Sequence, residues 1–269
     1  MFKIILAFIV GVLLTAAAVF ANSFFRDVPP SVFASTEASI AGEQVKSDLA
    51  PYMLELATGD VERKRDILDE HFFAPRIAQA RKLYPVTEQP LDIDGVYTEV
   101  FEPSNGIKAS NINRVLINLH GGGFAFGART EGRLESIPLA SVAGIKVISI
   151  DYRQGPEHRF PAASEDVATV YKHLLKHYAP ENIGIFGCSA GGILAAQAVA
   201  WFDDVGLPQP GAIGVFCAGA GQVGIGDSNE IANTFGSNLL GGDIEYLEGV
   251  DWKDRLVGPM HHPDLMAKF

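Results

Sequence analysis

The first helical pattern in the chain lies between residues 36 and 84. Apolar side chains recur there at roughly helical spacing at Ile40, Val45, Leu49, Met53, Leu56, Ile67, Leu68, Phe72, Ile77, Ala80 and Leu83. Thr58-Gly59 interrupts the pattern and Pro85 ends it. We expect these helices to pack over the carboxyl edge of a following sheet as a cap. Peripheral helices without a role in binding are the alternative.

From about residue 91 the pattern changes to short apolar runs. Residues 96–101 alternate between apolar and polar, which predicts a half-buried strand. Nearly continuous apolar runs, typical of strands buried on both faces, occupy 115–119, 145–150, 183–186 and 212–216. The polar segment 104–113 predicts a hairpin-type loop.

Helical patterns separate these strands at residues 167–178 and 193–201, and 231–240 also favours a helix. The alternation of strands and helices predicts an α/β fold, with a mainly parallel sheet covered by helices on both faces.

Composition fits one large α/β domain or two small ones. The chain has 269 residues, of which 48% are hydrophobic. It carries 21 lysines and arginines against 32 acidic residues, a net charge of −11, which argues against nucleic acid as a partner. Only Cys188 and Cys217 are present, so a disulfide scaffold and a four-cysteine zinc site are excluded. The two cysteines end neighbouring predicted strands, where they could pair, but buried free thiols are the plainer interpretation.

The N-terminus predicts export. A short basic start at residues 1–3 precedes an uncharged apolar run at 4–21, and Val19-Phe20-Ala21 fits a cleavage site. Residues 1–21 are therefore interpreted as a secretory signal peptide, with a membrane anchor as the alternative. Either interpretation places the folded part outside the cytoplasm, secreted or periplasmic, or held at the membrane by this segment. Residues 22–90 would then form the helical cap region and 91–269 the main domain.

One candidate catalytic motif is Gly187-Cys188-Ser189-Ala190-Gly191, which fits G-x-S-x-G between an apolar strand and a small-residue helix. In that context the motif predicts a nucleophile elbow, a sharp turn that exposes the serine hydroxyl at a helix N-terminus. Gly187 and Gly191 would let the strand and the helix pass closely. A glycine-rich turn that serves only packing is the alternative.

A second motif, His120-Gly121-Gly122-Gly123-Phe124, follows the strand at 115–119. Three consecutive glycines are costly to order. We therefore expect that they serve to turn backbone N–H groups towards a ligand. A phosphate loop would need a lysine followed by serine or threonine, which are absent here. Together with Ser189, the motif favours an oxyanion hole for acyl transfer.

These two motifs and Asp151-Tyr152-Arg153-Gln154-Gly155-Pro156-Glu157-His158-Arg159-Phe160-Pro161-Ala162 resemble the hormone-sensitive-lipase-like branch of the α/β-hydrolases. The resemblance covers roughly residues 90–269. It implies an α/β-hydrolase fold and a carboxylic-ester hydrolase with a Ser-His-Asp triad, a small-molecule ester as substrate, and neither metal nor organic cofactor. Gln154-Gly155 departs from the family's usual Leu-Ala.

The resemblance also assigns roles to residues. Ser189 is implied as the nucleophile, and the N–H groups of Gly122, Gly123 and Ala190 as oxyanion donors. His120 is implied to shape its loop rather than to act as base. The segment 151–162 is interpreted as a structural loop beneath the site, in which Arg153 and Glu157 form either a buried or a solvated pair.

The triad acid and base have no evident position in the sequence. On this fold they follow the serine in the order acid, then histidine. Only His261 and His262 follow Ser189, and no strand pattern delivers them. The resemblance places the strand bearing the catalytic aspartate where the chain stops, so we expect a C-terminally truncated hydrolase that lacks its last strands. A base at His261 or His262, oriented by Asp243, Glu248 or Asp251, is the less favoured arrangement.

The sequence therefore predicts a serine hydrolase of the carboxylesterase or lipase type, with an acyl-enzyme on Ser189. A catalytically dead remnant that binds small apolar esters is the alternative.

Overall fold

The computed structural model describes residues 10–12, 14–15, 34–221 and 244–268. The chain divides into two compact units, one comprising residues 1–47 and 225–241 and the other residues 48–224 and 242–269. The expected signal segment at 1–21, for the most part, and the helix expected at 231–240 lie outside the described residues. None of the helices that the structure describes is both long and apolar enough to span a membrane.

A mixed six-stranded sheet forms the centre of the larger unit. Its strands are β1 (Val86–Ile93), β2 (Val96–Pro103), β3 (Val115–Leu119), β4 (Lys146–Ile150), β5 (Ile183–Cys188) and β6 (Ala212–Phe216), in the order β1-β2-β4-β3-β5-β6. Strands β4, β3, β5 and β6 run parallel, and β1 and β2 add an antiparallel edge. Parallel strands share one carboxyl edge, which is where ligands bind in such sheets.

The helices before the sheet are α1 (Thr36–Leu49), α2 (Met53–Thr58), α3 (Val61–Ile67) and α4 (Ala74–Leu83), with a π-helical turn at Leu68–Phe73. Those within and after it are α5 (Glu131–Ala143), α6 (Ala162–Leu174), α7 (Ala190–Asp204) and α8 (Pro263–Met266). Short 3₁₀ turns lie at Ala50–Tyr52, Ala109–Asn111, Pro180–Asn182, Glu245–Leu247 and Pro259–His261.

Two hydrophobic clusters cover the two faces of the sheet. Because side chains alternate along a strand, Ile117 and Leu119 face one cluster, where α6 and α7 pack, while Leu116 faces the other. Helix α7 is buried around most of its surface, as its small apolar sequence predicts. The predicted α/β-hydrolase architecture is confirmed in this part of the chain.

Three details differ from the sequence expectations. Strand β1 was missed because its residues are polar and include Pro90, which an edge strand tolerates. The segment 104–113 is not a hairpin loop, since β2 pairs with β4 and the chain crosses over to reach β3. Helix α4 does not lie over the carboxyl edge; it packs against α5 and against Val147, near the start of β4.

Candidate active site

Ser189 sits in the turn between β5 and α7, where the sequence predicts it. Its backbone has φ 54° and ψ −121°, a conformation that L-residues rarely adopt. The side chain is exposed. Among the described residues, no group forms a hydrogen bond with its hydroxyl. The turn therefore presents a free hydroxyl at the first turn of a helix, where negative charge is stabilised.

The two flanking glycines of the motif, Gly187 and Gly191, lie where a Cβ atom would collide with neighbouring backbone atoms. A Cβ on Gly191 would lie 1.8 Å from the carbonyl oxygen of Leu119, and one on Gly187 would lie 2.4 Å from the same atom. Strand, turn and helix thus touch the end of β3 through backbone atoms alone. The predicted role of Gly187 and Gly191, to allow close passage, agrees with these distances.

The loop 120–124 lies at the same sheet edge as Ser189. Strands β3 and β5 are parallel neighbours with Leu119 opposite Gly187, so both motifs begin where their strands end. A Cβ on Gly121 would lie 3.0 Å from the carbonyl oxygen of Cys188. Contact between the two motifs follows directly from the sheet order.

The backbone of this loop leaves donors free. Gly122, Gly123 and Phe124 have φ of 92°, 63° and 58°. Among the described residues, no group accepts a hydrogen bond from the N–H of Gly122, Gly123 or Ala190. Three unused donors beside an exposed serine hydroxyl are what an oxyanion hole requires.

His120 is buried and its surroundings explain the shape of the loop. Its ring stacks on Tyr152 at 4.2 Å, and its Nδ1 lies 2.8 Å from the carbonyl oxygen of Gly121. The Tyr152 hydroxyl donates to the His120 carbonyl oxygen at 2.7 Å. Burial lowers the pKa of His120, so the ring is neutral at pH 7. These contacts support a loop-shaping role for His120.

Two carboxyl groups that the sequence analysis missed lie under the loop. Glu131 and Glu135 occupy one face of α5, and Asn118 Nδ2 donates to Glu135 Oε2 at 2.6 Å. Burial raises the pKa of Glu131 to about 7. Burial and the nearby Glu131 raise that of Glu135 to about 8, against the hydrogen bond from Asn118. Their i, i+4 spacing was visible in the sequence, but spacing alone does not tell which helix face is buried.

The loop 151–162 is bonded to the glycine loop 120–124, because the N–H of Gly155 donates to the carbonyl oxygen of Phe124 at 2.7 Å. The pairing of Arg153 with Glu157 expected from the sequence is wrong. Arg153 Nε donates to Asp166 at 2.9 Å, and its Nη2 bonds Glu165, both on the first turns of α6. Glu157 instead accepts two hydrogen bonds from Arg65 of α3.

Cys188 and Cys217 are both free thiols. Burial, with a smaller effect of the neighbouring Cys217 thiol, raises the pKa of Cys188 to about 12. Cys217 is exposed, which differs from the expected buried thiol, because it follows β6, the outermost strand of the described sheet on that side.

No described residue takes the place of the catalytic base. His262 Nε2 lies 2.8 Å from the carbonyl oxygen of Lys253, and His261 belongs to a 3₁₀ turn. Glu248 pairs with Arg159, and Asp251 accepts from the N–H of Lys253. Asp243 lies outside the described residues. The structure thus places Ser189 and the glycine loop 120–124 at the same sheet edge, but places no described histidine in hydrogen-bond contact with the serine.

A mostly parallel sheet, a strained serine turn after β5 and a glycine loop after β3 together define the α/β-hydrolase class. Comparison with protein families agrees: a family model described as "alpha/beta hydrolase fold" matches residues 116–267. The match covers more than half of the chain, and the protein belongs to this family.

Individual relatives are esterases and acetyl-hydrolases. An acetyl-hydrolase of Streptomyces hygroscopicus is 34% identical over 156 residues, which are 55% of this chain and 52% of the relative. The crystal structure of esterase E25 is 28% identical with a TM-score of 0.69, and the match covers 88% of this chain and 75% of that one. An esterase from the bacterial hormone-sensitive lipase family, 24% identical with a TM-score of 0.62 over 82% of this chain and 74% of that one, shares the fold. The chain spans about half the length of the curated relatives it matches. The family resemblance drawn from the motifs is confirmed.

Proposed function

We propose that this protein hydrolyses carboxylic esters of small or medium acyl length through an acyl-enzyme on Ser189. The Ser189 oxygen attacks the ester carbonyl carbon, and the alcohol leaves as the acyl-serine forms. Water then attacks the acyl-serine and releases the carboxylic acid. Relatives named acetyl-hydrolase and esterase support this class of substrate.

One observation carries the proposal: in the part of the chain that the structure describes, nothing accepts from the N–H groups of Gly122, Gly123 and Ala190, at the same sheet edge as an exposed, strained serine. The tetrahedral intermediate bears its negative charge on the former carbonyl oxygen. Preorganised donors stabilise that charge without reorganisation, and the loss of one typically costs about 10²–10³ in kcat. The Ala190 N–H has no partner at any helix N-terminus, but packing alone does not require the Gly122 and Gly123 N–H groups to lack an acceptor among the described residues.

Acylation tests the proposal directly. Incubation with p-nitrophenyl acetate, or with a fluorophosphonate probe, should add one acyl or phosphonyl group to Ser189, detected by intact mass and peptide mapping. Ser189→Ala should carry no adduct. An unmodified wild-type protein, with the mass expected from its sequence after incubation, would contradict the nucleophile role.

The second candidate, a catalytically dead fold that binds small apolar esters, is favoured by the absence of a described histidine or carboxylate bonded to Ser189. It predicts saturable binding of a non-hydrolysable ester analogue, measured by calorimetry, without any adduct at Ser189. An adduct would exclude it.

We also propose that residues 1–21 direct the folded part out of the cytoplasm. The support is the apolar run at 4–21 and its small-residue end. Fractionation of cells that express the full chain, followed by N-terminal sequencing, distinguishes a cleaved signal from a retained anchor.

A further inference from the structure

Arg65, on helix α3, reaches two loops at the carboxyl edge of the sheet. Its Nε donates to the carbonyl oxygen of Ala125 at 2.7 Å, and its Nη2 to that of Gly155 at 2.8 Å. The same guanidinium holds Glu157 with two bonds, of 2.6 and 2.9 Å. Its side chain is only 22% exposed. One planar group therefore connects α3, the segment 120–126 (the oxyanion loop of the proposed function) and the loop 151–162 after β4.

The Ala125 carbonyl oxygen, which accepts from Arg65, belongs to the turn 122–126 next to the proposed oxyanion donors. The N–H groups of Ala125 and Phe126 both donate to the carbonyl oxygen of Gly122, at 3.0 and 2.9 Å. Displacement of the Ala125 carbonyl would therefore rotate the peptide units next to the Gly122 and Gly123 donors. Gly155 transmits the same constraint, since its N–H donates to the Phe124 carbonyl oxygen at 2.7 Å.

The loop needs such an external constraint because of its backbone. Three successive residues have positive φ, a conformation that an L-residue such as Phe124 adopts at a cost. Within the loop, one hydrogen bond, from the Phe126 N–H to the Gly122 carbonyl oxygen, orients the planar Ala125–Phe126 peptide. Among the described residues, the only donor to the Ala125 carbonyl oxygen on the other side of that peptide is Arg65. A guanidinium matches this task, because its fixed fork of donors can engage two carbonyls and a carboxylate together.

Electrostatics strengthens the connection. The Arg65 guanidinium lowers the pKa of Glu157 to about 2, so the carboxylate stays ionised. The π-helical turn that follows α3 makes a second bond nearby, because the Thr130 hydroxyl donates to Asp69 at 2.7 Å. Helix α3 and the turn after it are thus each attached to residues that surround the oxyanion loop.

We propose that Arg65 is a positioning residue of the oxyanion loop, which holds the Ala125 and Gly155 carbonyls so that the Gly122 and Gly123 N–H groups keep their direction. Its catalytic consequence rests on the proposed function. Its structural consequence does not, and it is measured separately.

The amides of Ala125, Phe126 and Gly155 report on the loop by hydrogen exchange. In R65A they should exchange about tenfold faster or more, because hydrogen bonds to a charged group are lost from the loop. R81A is the matched control, since Arg81 makes a similar two-bond pair with Glu88, at 2.7 and 2.6 Å, on helix α4. In R81A the amides of Ala125, Phe126 and Gly155 should exchange at the wild-type rate.

Unchanged exchange at these three amides in R65A, or an equal acceleration in R81A, would overturn the proposal. If R65A does not fold, R65K carries the test. A single ammonium cannot engage both carbonyls and Glu157 with the same geometry, so the three amides should still exchange faster. Wild-type rates in R65K would then refute the assignment.

Kinetics separates positioning from a general loss of structure. The acylation rate of Ser189 by p-nitrophenyl acetate should fall about tenfold or more in R65A, while the concentration for half-saturation changes little, since donors that act on the transition state are displaced. If wild-type Ser189 is never acylated, the proposed function fails. The positioning role of Arg65 is then decided by the hydrogen-exchange rates alone.

Discussion

Replacement of Ser189 by glycine should stabilise the protein relative to replacement by alanine. Both changes remove the exposed hydroxyl, which makes no hydrogen bond in the described structure. They differ only in the cost of the backbone conformation, φ 54° and ψ −121°. This conformation is that of the first central residue of a type II′ turn, where glycine dominates because a Cβ is strained.

The magnitude follows from two opposing contributions. A non-glycine residue in such a sparsely populated region costs about 1–3 kcal/mol. Glycine loses more conformational freedom on folding, which costs about 0.5–1 kcal/mol relative to alanine. The net expectation is that the free energy of unfolding of S189G exceeds that of S189A by about 0.5–2 kcal/mol. For a unit of this size, each kcal/mol raises the Tm by about 2–4 °C.

Urea and thermal unfolding of the two variants, followed by circular dichroism in the same buffer, measure this difference. Substitution of an exposed serine in an ordinary helix, once by alanine and once by glycine, provides the control. At such a position the alanine variant should be the more stable protein. If S189G is less stable than S189A by a comparable amount, the turn stores no strain, and the elbow geometry inferred here is refuted.

Three further predictions concern the same edge of the sheet. Gly191→Ala should cost about 3 kcal/mol or more, or prevent soluble expression, since its Cβ would meet the Leu119 carbonyl. Gly219→Ala, whose Cβ would have no described atom within 4 Å, should be nearly neutral in chemical unfolding. Burial raises the pKa of Glu131 from 4.5 to about 7. The folded state therefore holds this proton more tightly, and the unfolding free energy should fall by the order of 1–3 kcal/mol as the pH rises from about 4.5 to about 7. Glu131→Gln should flatten that decline in pH-dependent unfolding; an unchanged slope would exclude Glu131 as its source. Since no described histidine contacts Ser189, turnover of p-nitrophenyl esters by this chain should stay near the residual of about 10³–10⁴ over water that a site without its base retains. Efficient turnover abolished by Ser189→Ala would contradict this and would assign a base to one of the C-terminal histidines.

The central part of the fold was predictable because its signals are local. Short apolar runs bounded by glycine or polar residues favour strands, and β3 and β6 begin and end where the runs do. The expected burial on both faces fails for β6, of which no residue is buried in the described structure, because it is the outermost described strand on that side. The G-x-S-x-G and H-G-G-G motifs also indicated the candidate site, because the close backbone contact at Gly191 and the positive φ of Gly122 and Gly123 favour glycine at those positions. Ser189 and Gly122–Gly123 required no tertiary information.

The missed features depend on contacts between distant residues. Arg65 lies 92 positions before Glu157, and no local pattern distinguishes it from the other arginines of α3 and α4. The burial of Glu131 depends on how α5 is rotated against the sheet. Strand β1 carries polar side chains because it lies at the sheet edge, so it lacks the apolar run by which inner strands are recognised.

The order of the strands in the sheet also determines when the site can first exist. Leu119 and Gly187, whose strands present the two motifs, are neighbours in the sheet but are far apart along the chain. At about 5–20 residues per second, a ribosome releases β3 several seconds before β5. During that interval β3 has an unpaired backbone edge, which is open to wrong partners. The Ser189 turn and the glycine loop 120–124 can therefore come together only after β5 has been synthesised and has paired with β3.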